Sequence, residues 1–425
     1  MRTRLIGTGV AVLGLVALAV TRNPDSGLRG GRSGRMAAGT TTRAIQFFEA
    51  KLAADPIDAG AAGALAGRYV LRFQQTAQLQ DLRRAQQSLE GTLVYAADAA
   101  AANASLSAVQ LMQHDFARAY SSARAAIDAE GTNDDALGAW FDAALATGRF
   151  EEAERALGGM ESGTLAWRVR RSHWLDANGD TDGAYQSLEP VCEQVERSGA
   201  RPELTAWCLT ELAGLALART GEQAAERLYR KALGILPEYR GAIEGLADLD
   251  HASGRWRSAI RKYERIATDA HPDLYLRLAE ANLALGRETR ATAWEAEFVR
   301  AAGDPAVEAL YAQPLALYWA ERPEQRDRAL DIARRDVARR PAPESWDVLS
   351  WVHFRRGELR AALEASDRAG SAVPPSATMT YHRARILEAL GQEDEAAALM
   401  RTAVELRPQL DPAARLDLDR RSDRI

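Results

Sequence analysis

From about Thr42 onward, apolar positions recur with the period of an α-helix, and no stretch shows the strict alternation typical of a β-strand. The helical segments are separated by Gly and Pro, which interrupt helices. The segments that end in Gly include "IEGLADLDHASG", "YLRLAEANLALG", "WDVLSWVHFRRG" and "YHRARILEALG", and a second helical segment follows each of them. The pattern predicts an all-α chain built from antiparallel helix pairs.

The helix pairs repeat a common spacing of small and large residues. In one pair, Gly254 is followed by Ala259, Tyr263 and Pro272. The corresponding residues in other pairs are Gly148, Ala153 and Leu157; Gly179, Ala184 and Leu188; Gly286 and Ala291; Gly357, Ala362, Ser366, Ala369 and Pro374; Gly391, Ala396, Met400, Ala403 and Pro408.

The spacing has a physical reason. Gly adopts the left-handed conformation of an interhelix turn at low cost. A small Ala, five residues later, lets the second helix cross the first closely, and the larger residue after it fills the adjacent gap. Pro then ends the second helix.

This arrangement resembles the tetratricopeptide repeat family, whose units are about 34 residues long. The best matches are residues 206–237, residues 242–272 and the two C-terminal units. Other units deviate: His114 takes the place of the turn Gly, residues 57–99 indicate an insertion near "QQTAQLQD", and residues 310–342 lack the Gly. The resemblance implies a right-handed superhelical solenoid of about nine to ten units, some of them degenerate, over residues 42–410.

The two ends of the chain differ from the repeats. Residues 1–20 combine Arg2 and Arg4 with an uncharged apolar run, which is typical of a signal peptide or an N-terminal membrane anchor. We therefore expect an exported or membrane-anchored bacterial protein on the periplasmic side, with this segment as its membrane contact. Residues 21–41 are predicted to be a Gly/Arg/Ser-rich linker, and residues 411–425 a charged cap or tail. Four arginines follow the apolar run of residues 1–20, and their positive charge opposes its export. They are Arg22, Arg29, Arg32 and Arg35.

Net charge weighs against nucleic-acid binding. The chain has 54 Lys and Arg against 59 Asp and Glu, whereas proteins that bind phosphate backbones are basic overall or in one region. The basic stretch "GRWRSAIRKYERI" places Arg257, Arg261 and Arg265 on one helix face, which we expect to point to solvent. A helical-repeat protein that binds RNA remains an alternative.

Motifs for catalysis are absent from the sequence. It contains no H-E-x-x-H pair, no phosphate-binding G-x-x-x-x-G-K-[ST] loop and no G-x-S-x-G elbow. We therefore expect no enzymatic activity, no cofactor and no metal. The chain has two cysteines, Cys192 and Cys208, which are equidistant from residue 200 in a predicted helical hairpin. They form either a disulfide or a pair of buried thiols.

Repeat arrays of this kind usually hold an extended peptide or a partner helix in their concave groove, on the face that the first helices line. The strongest candidates are Trp351, Arg355, Tyr381 and Arg385, because Trp, Tyr and Arg are enriched at interface hot spots. The arginines are expected to pair with carboxylates of a partner. Alternatively, Trp351 packs between helices and the Arg residues are only solvated, or the aromatic rings stack on a carbohydrate or lipid ligand. The positions expected to be exposed on this face are Asp248, His251, Arg277, Glu280, Asp347, Trp351, Arg355, Tyr381 and Arg385.

Overall fold

A computed structural model of the chain describes residues 34–199, 201–304, 308–370 and 376–407, together with residues 410, 414, 415, 417 and 418. Over these residues the chain forms α-helices joined by turns, and no strand occurs among them. The predicted all-α class is therefore confirmed. The predicted leader at residues 1–20 lies outside the described residues, as does most of the predicted tail.

The chain divides into two compact units between Arg171 and Ser172, which we call the N-terminal and C-terminal units. The helices of the N-terminal unit are α1 (Gly34–Ala54), α2 (Ala59–Thr76), α3 (Leu79–Leu93), α4 (Ala100–Met112), α5 (Phe116–Ala129), α6 (Asp134–Ala146) and α7 (Phe150–Gly159). The division falls within α8 (Leu165–Ala177).

The C-terminal unit continues with helices that alternate as first and second members of pairs from α10 onward. They are α9 (Thr181–Arg197), α10 (Pro202–Thr220), α11 (Glu222–Ile235), α12 (Arg240–Ala252), α13 (Trp256–Ile266), α14 (Asp273–Ala284), α15 (Glu288–Ala302), α16 (Ala312–Ala320), α17 (Arg326–Arg339), α18 (Pro343–Arg356), α19 (Leu359–Gly370), α20 (Ala377–Ala389) and α21 (Glu393–Glu405). Among the helices described in either unit, none combines the length and the apolar character that a membrane-spanning segment requires.

The turns between paired helices have the predicted backbone geometry. Gly254, between α12 and α13, has a φ of 71°, in the left-handed region where a Cβ atom is unfavourable. His114 has a φ of 55° at the equivalent turn between α4 and α5. A non-glycine residue therefore adopts the left-handed turn in this degenerate unit, at the position where the repeat spacing placed His114.

The second helices bury the predicted small residue and expose the predicted basic face. In α13, Ala259 and Tyr263 are both 0% exposed, and Ile260 is also buried. Arg257 and Arg261 on the opposite face are exposed. The aromatic and basic residues that alternate along this stretch therefore occupy different sides of one helix, as expected.

Two degenerate units differ from the expected layout, and the predicted linker is shorter. Residues 57–99 contain no inserted loop; the extra length lies in α2 and α3, which meet at a left-handed Ala77. In residues 310–342 a 3₁₀ turn at Pro323–Gln325 replaces the glycine turn. Helix α1 begins at Gly34, so the end of the segment predicted as a linker is helical.

A disulfide joins α9 to α10. Cys192 and Cys208 are bonded with a Cα–Cα separation of 5.4 Å, and both are buried. This separation lies within the range that a disulfide requires, because the residues lie level with each other on the two helices of the hairpin. Of the two alternatives left by the sequence, the structure contains the disulfide.

Candidate functional site

The nine candidate residues lie on the first helices of four pairs in the C-terminal unit. The structure separates them into two groups with different surroundings. We call the group on α18 and α20 the aromatic cluster, and it consists of Asp347, Trp351, Arg355, Tyr381 and Arg385. The group on α12 and α14 consists of Asp248, His251, Arg277 and Glu280.

Asp347, Trp351 and Tyr381 are buried, so the expectation that they are exposed is wrong. Arg355 and Arg385 are partly exposed. Trp351 is 7% exposed and Tyr381 is 0% exposed, and Asp347 is also buried. The Trp351 ring stacks on His382, with 4.2 Å between ring centroids, because first helices pack against first helices of neighbouring pairs. Of the alternatives, packing of the tryptophan between helices describes this cluster.

Most polar groups of the aromatic cluster pair within the chain, although Arg355 Nε has no hydrogen-bond partner among the described residues. The Trp351 Nε1–H donates to Glu321 Oε1 at 3.1 Å, and Arg355 forms an ion pair with Glu321 at 2.8 Å. Tyr381 and Arg385 both donate to the carboxylate of Asp417. Because Leu410, Ala414 and Leu418 also pack against this cluster, the chain's own C-terminal segment covers it.

Three residues of the second group have partly exposed side chains, namely Asp248, Arg277 and Glu280. Asp248 Oδ1 accepts a hydrogen bond from the Tyr263 hydroxyl at 2.7 Å and lies 3.5 Å from Arg277 Nη1. The Asp248 side chain is 19% exposed and that of Arg277 is 11% exposed. These side chains are therefore recessed between α12, α13 and α14 but not sealed off.

Two carboxylates that were not singled out in the sequence belong to the same recess. Glu244 on α12 and Asp273 on α14 are partly exposed and act electrostatically on Arg277. Burial lowers the pKa of the Arg277 guanidinium, but Asp248 and these two carboxylates outweigh it and the pKa is raised. Burial is also the main cause of the raised pKa of the Asp273 carboxyl.

The line of carboxylates continues to Glu280. Glu280 Oε2 lies 3.4 Å from His251 Nε2, and the glutamate side chain is 37% exposed. His251 is only 4% exposed, so its expected exposure is wrong. Its ring packs edge-on against Trp256 from α13, with 4.9 Å between centroids.

We call this surface the acidic face, defined by Glu244, Asp248, Asp273, Arg277 and Glu280. Its four carboxylates exceed the positive charge of Arg277 and of Arg240, whose side chain extends to the Ile266 carbonyl. The carboxylates that the sequence analysis missed could have been found from spacing. Glu244 lies four residues before Asp248 and Asp273 lies four residues before Arg277, so helical spacing places each on the face of a residue already selected.

Comparison with known proteins supports the repeat interpretation. Residues 377–410 match the family model described as tetratricopeptide repeat. None of the curated proteins matches the sequence. The match corresponds to α20, α21 and the turn between them, a pair with the same layout as the others.

Solved structures resemble the chain at low sequence identity. A tetratricopeptide repeat protein from Parabacteroides merdae is 18% identical over 60% of this chain and 96% of its own, with a TM-score of 0.36. The APC/C hetero-tetramer Cut9-Hcn1 is 13% identical over 91% of this chain and 94% of that one, with a TM-score of 0.36. A human IFIT1 dimer with m7Gppp-AAAA is 12% identical over 85% and 94%, with a TM-score of 0.46.

Proposed function

We propose that this chain, a tetratricopeptide repeat protein, is a noncatalytic scaffold that binds a peptide or helix of a partner protein on its acidic face. The observation that carries the proposal is the contrast between the two candidate groups. The rings of Trp351 and Tyr381 are covered by the chain's own C-terminal segment, whereas the acidic face keeps its carboxylates recessed and in contact with solvent.

The repeat architecture suits such a role. Each helix pair buries its apolar surface against its neighbours, so successive first helices present an extended surface to a partner. Partner peptides and helices bind to surfaces of this kind through a few anchoring side chains. Leu283 on α14 is 50% exposed and lies one turn beyond Glu280, where it can supply such an apolar contact.

We further propose that the protein acts at the cell envelope. The support comes from the apolar run in residues 1–20 and from the disulfide between Cys192 and Cys208. Disulfides persist in oxidising compartments such as the periplasm and are rare in the cytosol. These are two independent observations, because one is a signal in the sequence and the other is a pairing made by the fold.

Site-specific photo-crosslinking in the native cells tests the binding surface. A photoreactive phenylalanine analogue at Leu283 reports on the acidic face, and the same analogue at Arg261 reports on the exposed face of a second helix. We expect a protein adduct from position 283 and none from position 261. No adduct from position 283, or equal adducts from both, would contradict the proposal.

The same experiment distinguishes the alternatives. An adduct that a protease shortens contains a partner protein. An adduct that ribonuclease shortens would instead support a helical-repeat RNA-binding protein. An adduct that contains only a carbohydrate or a lipid would support a role in handling those ligands.

A further inference from the structure

We infer that the partner segment bound by the acidic face is basic, with Lys or Arg side chains that enter between its carboxylates and an apolar side chain that contacts Leu283. This inference rests on the proposed function and specifies the chemistry of the partner. It differs from the expectation that the arginines of the first helices bind carboxylates of a partner.

The arginines of the C-terminal unit that were considered for binding an anion are already engaged within the chain. Arg277 lies 3.5 Å from Asp248 and also interacts with Asp273 and Glu244. Arg355 and Arg385 form ion pairs with Glu321 and Asp417. An anionic partner would have to approach these arginines against the charge of the neighbouring carboxylates. A carboxylate or phosphate group is therefore a poor fit.

The carboxylates, in contrast, outnumber the cations that face them. The face holds four carboxyl groups, Glu244, Asp248, Asp273 and Glu280, against the two guanidinium groups of Arg277 and Arg240. The raised pKa of the Asp273 carboxyl reflects burial and the nearby charge of Asp248. A cation brought into this recess would relieve that repulsion, and like charges in a concave, partly desolvated surface strengthen the field that attracts it.

The spacing on α14 adds an apolar requirement. Leu276, Glu280 and Leu283 follow at intervals of four and three residues, so they lie on one face of the helix. Leu276 is partly exposed and Leu283 is 50% exposed. A partner segment that combines basic and apolar side chains matches this face. A nucleic acid is uniformly negative, so the carboxylates of the face would repel it.

Defined peptides test the inference. The probe is a fluorescent, end-capped peptide of lysine, leucine and glycine, and its control has glutamate in place of every lysine. Fluorescence anisotropy with the purified chain measures both dissociation constants at low and at high salt. We expect the lysine peptide to bind and to weaken as salt screens the charges, and the glutamate peptide not to bind.

A pair of charge-matched variants assigns the binding to the acidic face. Glu244→Gln with Glu280→Gln removes two carboxylates from this face. Glu264→Gln with Glu364→Gln removes two exposed carboxylates from second helices. We expect the first variant to bind the lysine peptide about tenfold more weakly and the second to bind it unchanged. Thermal unfolding followed by circular dichroism verifies that both variants remain folded.

Several outcomes would overturn the inference. Equal weakening in the two variants would mean that the peptide responds only to the net charge of the chain. Binding of the glutamate peptide in preference to the lysine peptide would mean that the face selects anions. If position 283 crosslinks to a protein whose bound segment is not basic, the inference fails while the proposed function stands. If position 283 gives no protein adduct, the proposed function itself fails.

Discussion

At the scale of single residues, Gly245 shows how tightly the second helix packs against the next pair. A Cβ atom built on Gly245 of α12 would lie 2.3 Å from Cζ of Tyr229, whose ring is 1% exposed. Gly245→Ala is therefore expected to lower the free energy of unfolding by about 1–3 kcal/mol, because the ring or the helix must move. Thermal and urea unfolding of the purified variant measure the change.

Gly214 of α10 provides the matched control. A Cβ atom at this helical position would have no heavy atom within 4 Å outside its own helix. Gly214→Ala is expected to raise the free energy of unfolding by up to about 1 kcal/mol, because alanine restricts the unfolded chain and favours the helix. Equal losses of stability in the two variants would contradict this account of Gly245.

His271 is expected to contribute to acid sensitivity. Burial and the nearby Arg240 lower the pKa of the His271 imidazole from 6.5 to about 4. The unfolded chain therefore takes up a proton at a higher pH than the folded chain, so stability is lost as the pH falls from 6.5 towards 4. His271→Gln should flatten the fall in melting temperature over that interval.

The neighbouring Asp273 acts in the opposite direction. Burial raises the pKa of its carboxyl, so the folded chain gains a proton first and this contribution favours folding as the pH falls. Asp273→Asn removes this contribution, so the melting temperature of the variant should fall more steeply with falling pH than that of the wild type. If the melting temperatures of the wild type and the His271→Gln variant fall equally between neutral and acidic pH, the assignment to His271 is wrong.

At the scale of elements, the buried side of the second helices was predictable from sequence, whereas the buried residues of the first helices were not. Helix α13 has one buried stripe and one exposed basic face, which the apolar spacing indicates directly. In α18, every residue from Asp347 to His353 is buried. A helix packed on most of its sides carries no amphipathic stripe, so sequence alone could not tell that Trp351 lies inside.

The hairpin of α9 and α10 provides a test of the disulfide. Cys192 and Cys208 are 16 residues apart, and closing a loop of that size is expected to stabilise the chain by about 3 kcal/mol. Peptide mass spectrometry without reductant should find the linked peptides. Cys192→Ala with Cys208→Ala should lower the melting temperature, and reductant should then have no further effect. Free thiols on both cysteines would contradict the pairing.

At the scale of the whole molecule, the repeated layout was predictable because each helix pair follows the same local rules. The acidic face was only partly predictable, although Asp248, Arg277 and Glu280 were selected. The approach of Arg277 to Asp248 joins residues of different helix pairs, at 3.5 Å, and depends on how α12 and α14 pack. The sequence also could not show that Asp417 meets Tyr381 and Arg385.

Export of the chain and oxidation of its cysteines are expected to depend on each other. If residues 1–20 direct the chain out of the cytosol, the protein from native cells should carry the disulfide, because the exported side is oxidising. A chain that starts after residue 20 should remain in the cytosol with both thiols reduced. Thiol alkylation in intact cells, followed by mass spectrometry, measures the two states. N-terminal sequencing of the native protein shows whether the segment is cleaved. Oxidised cysteines in the shortened chain would contradict the prediction, because the disulfide would then form without export.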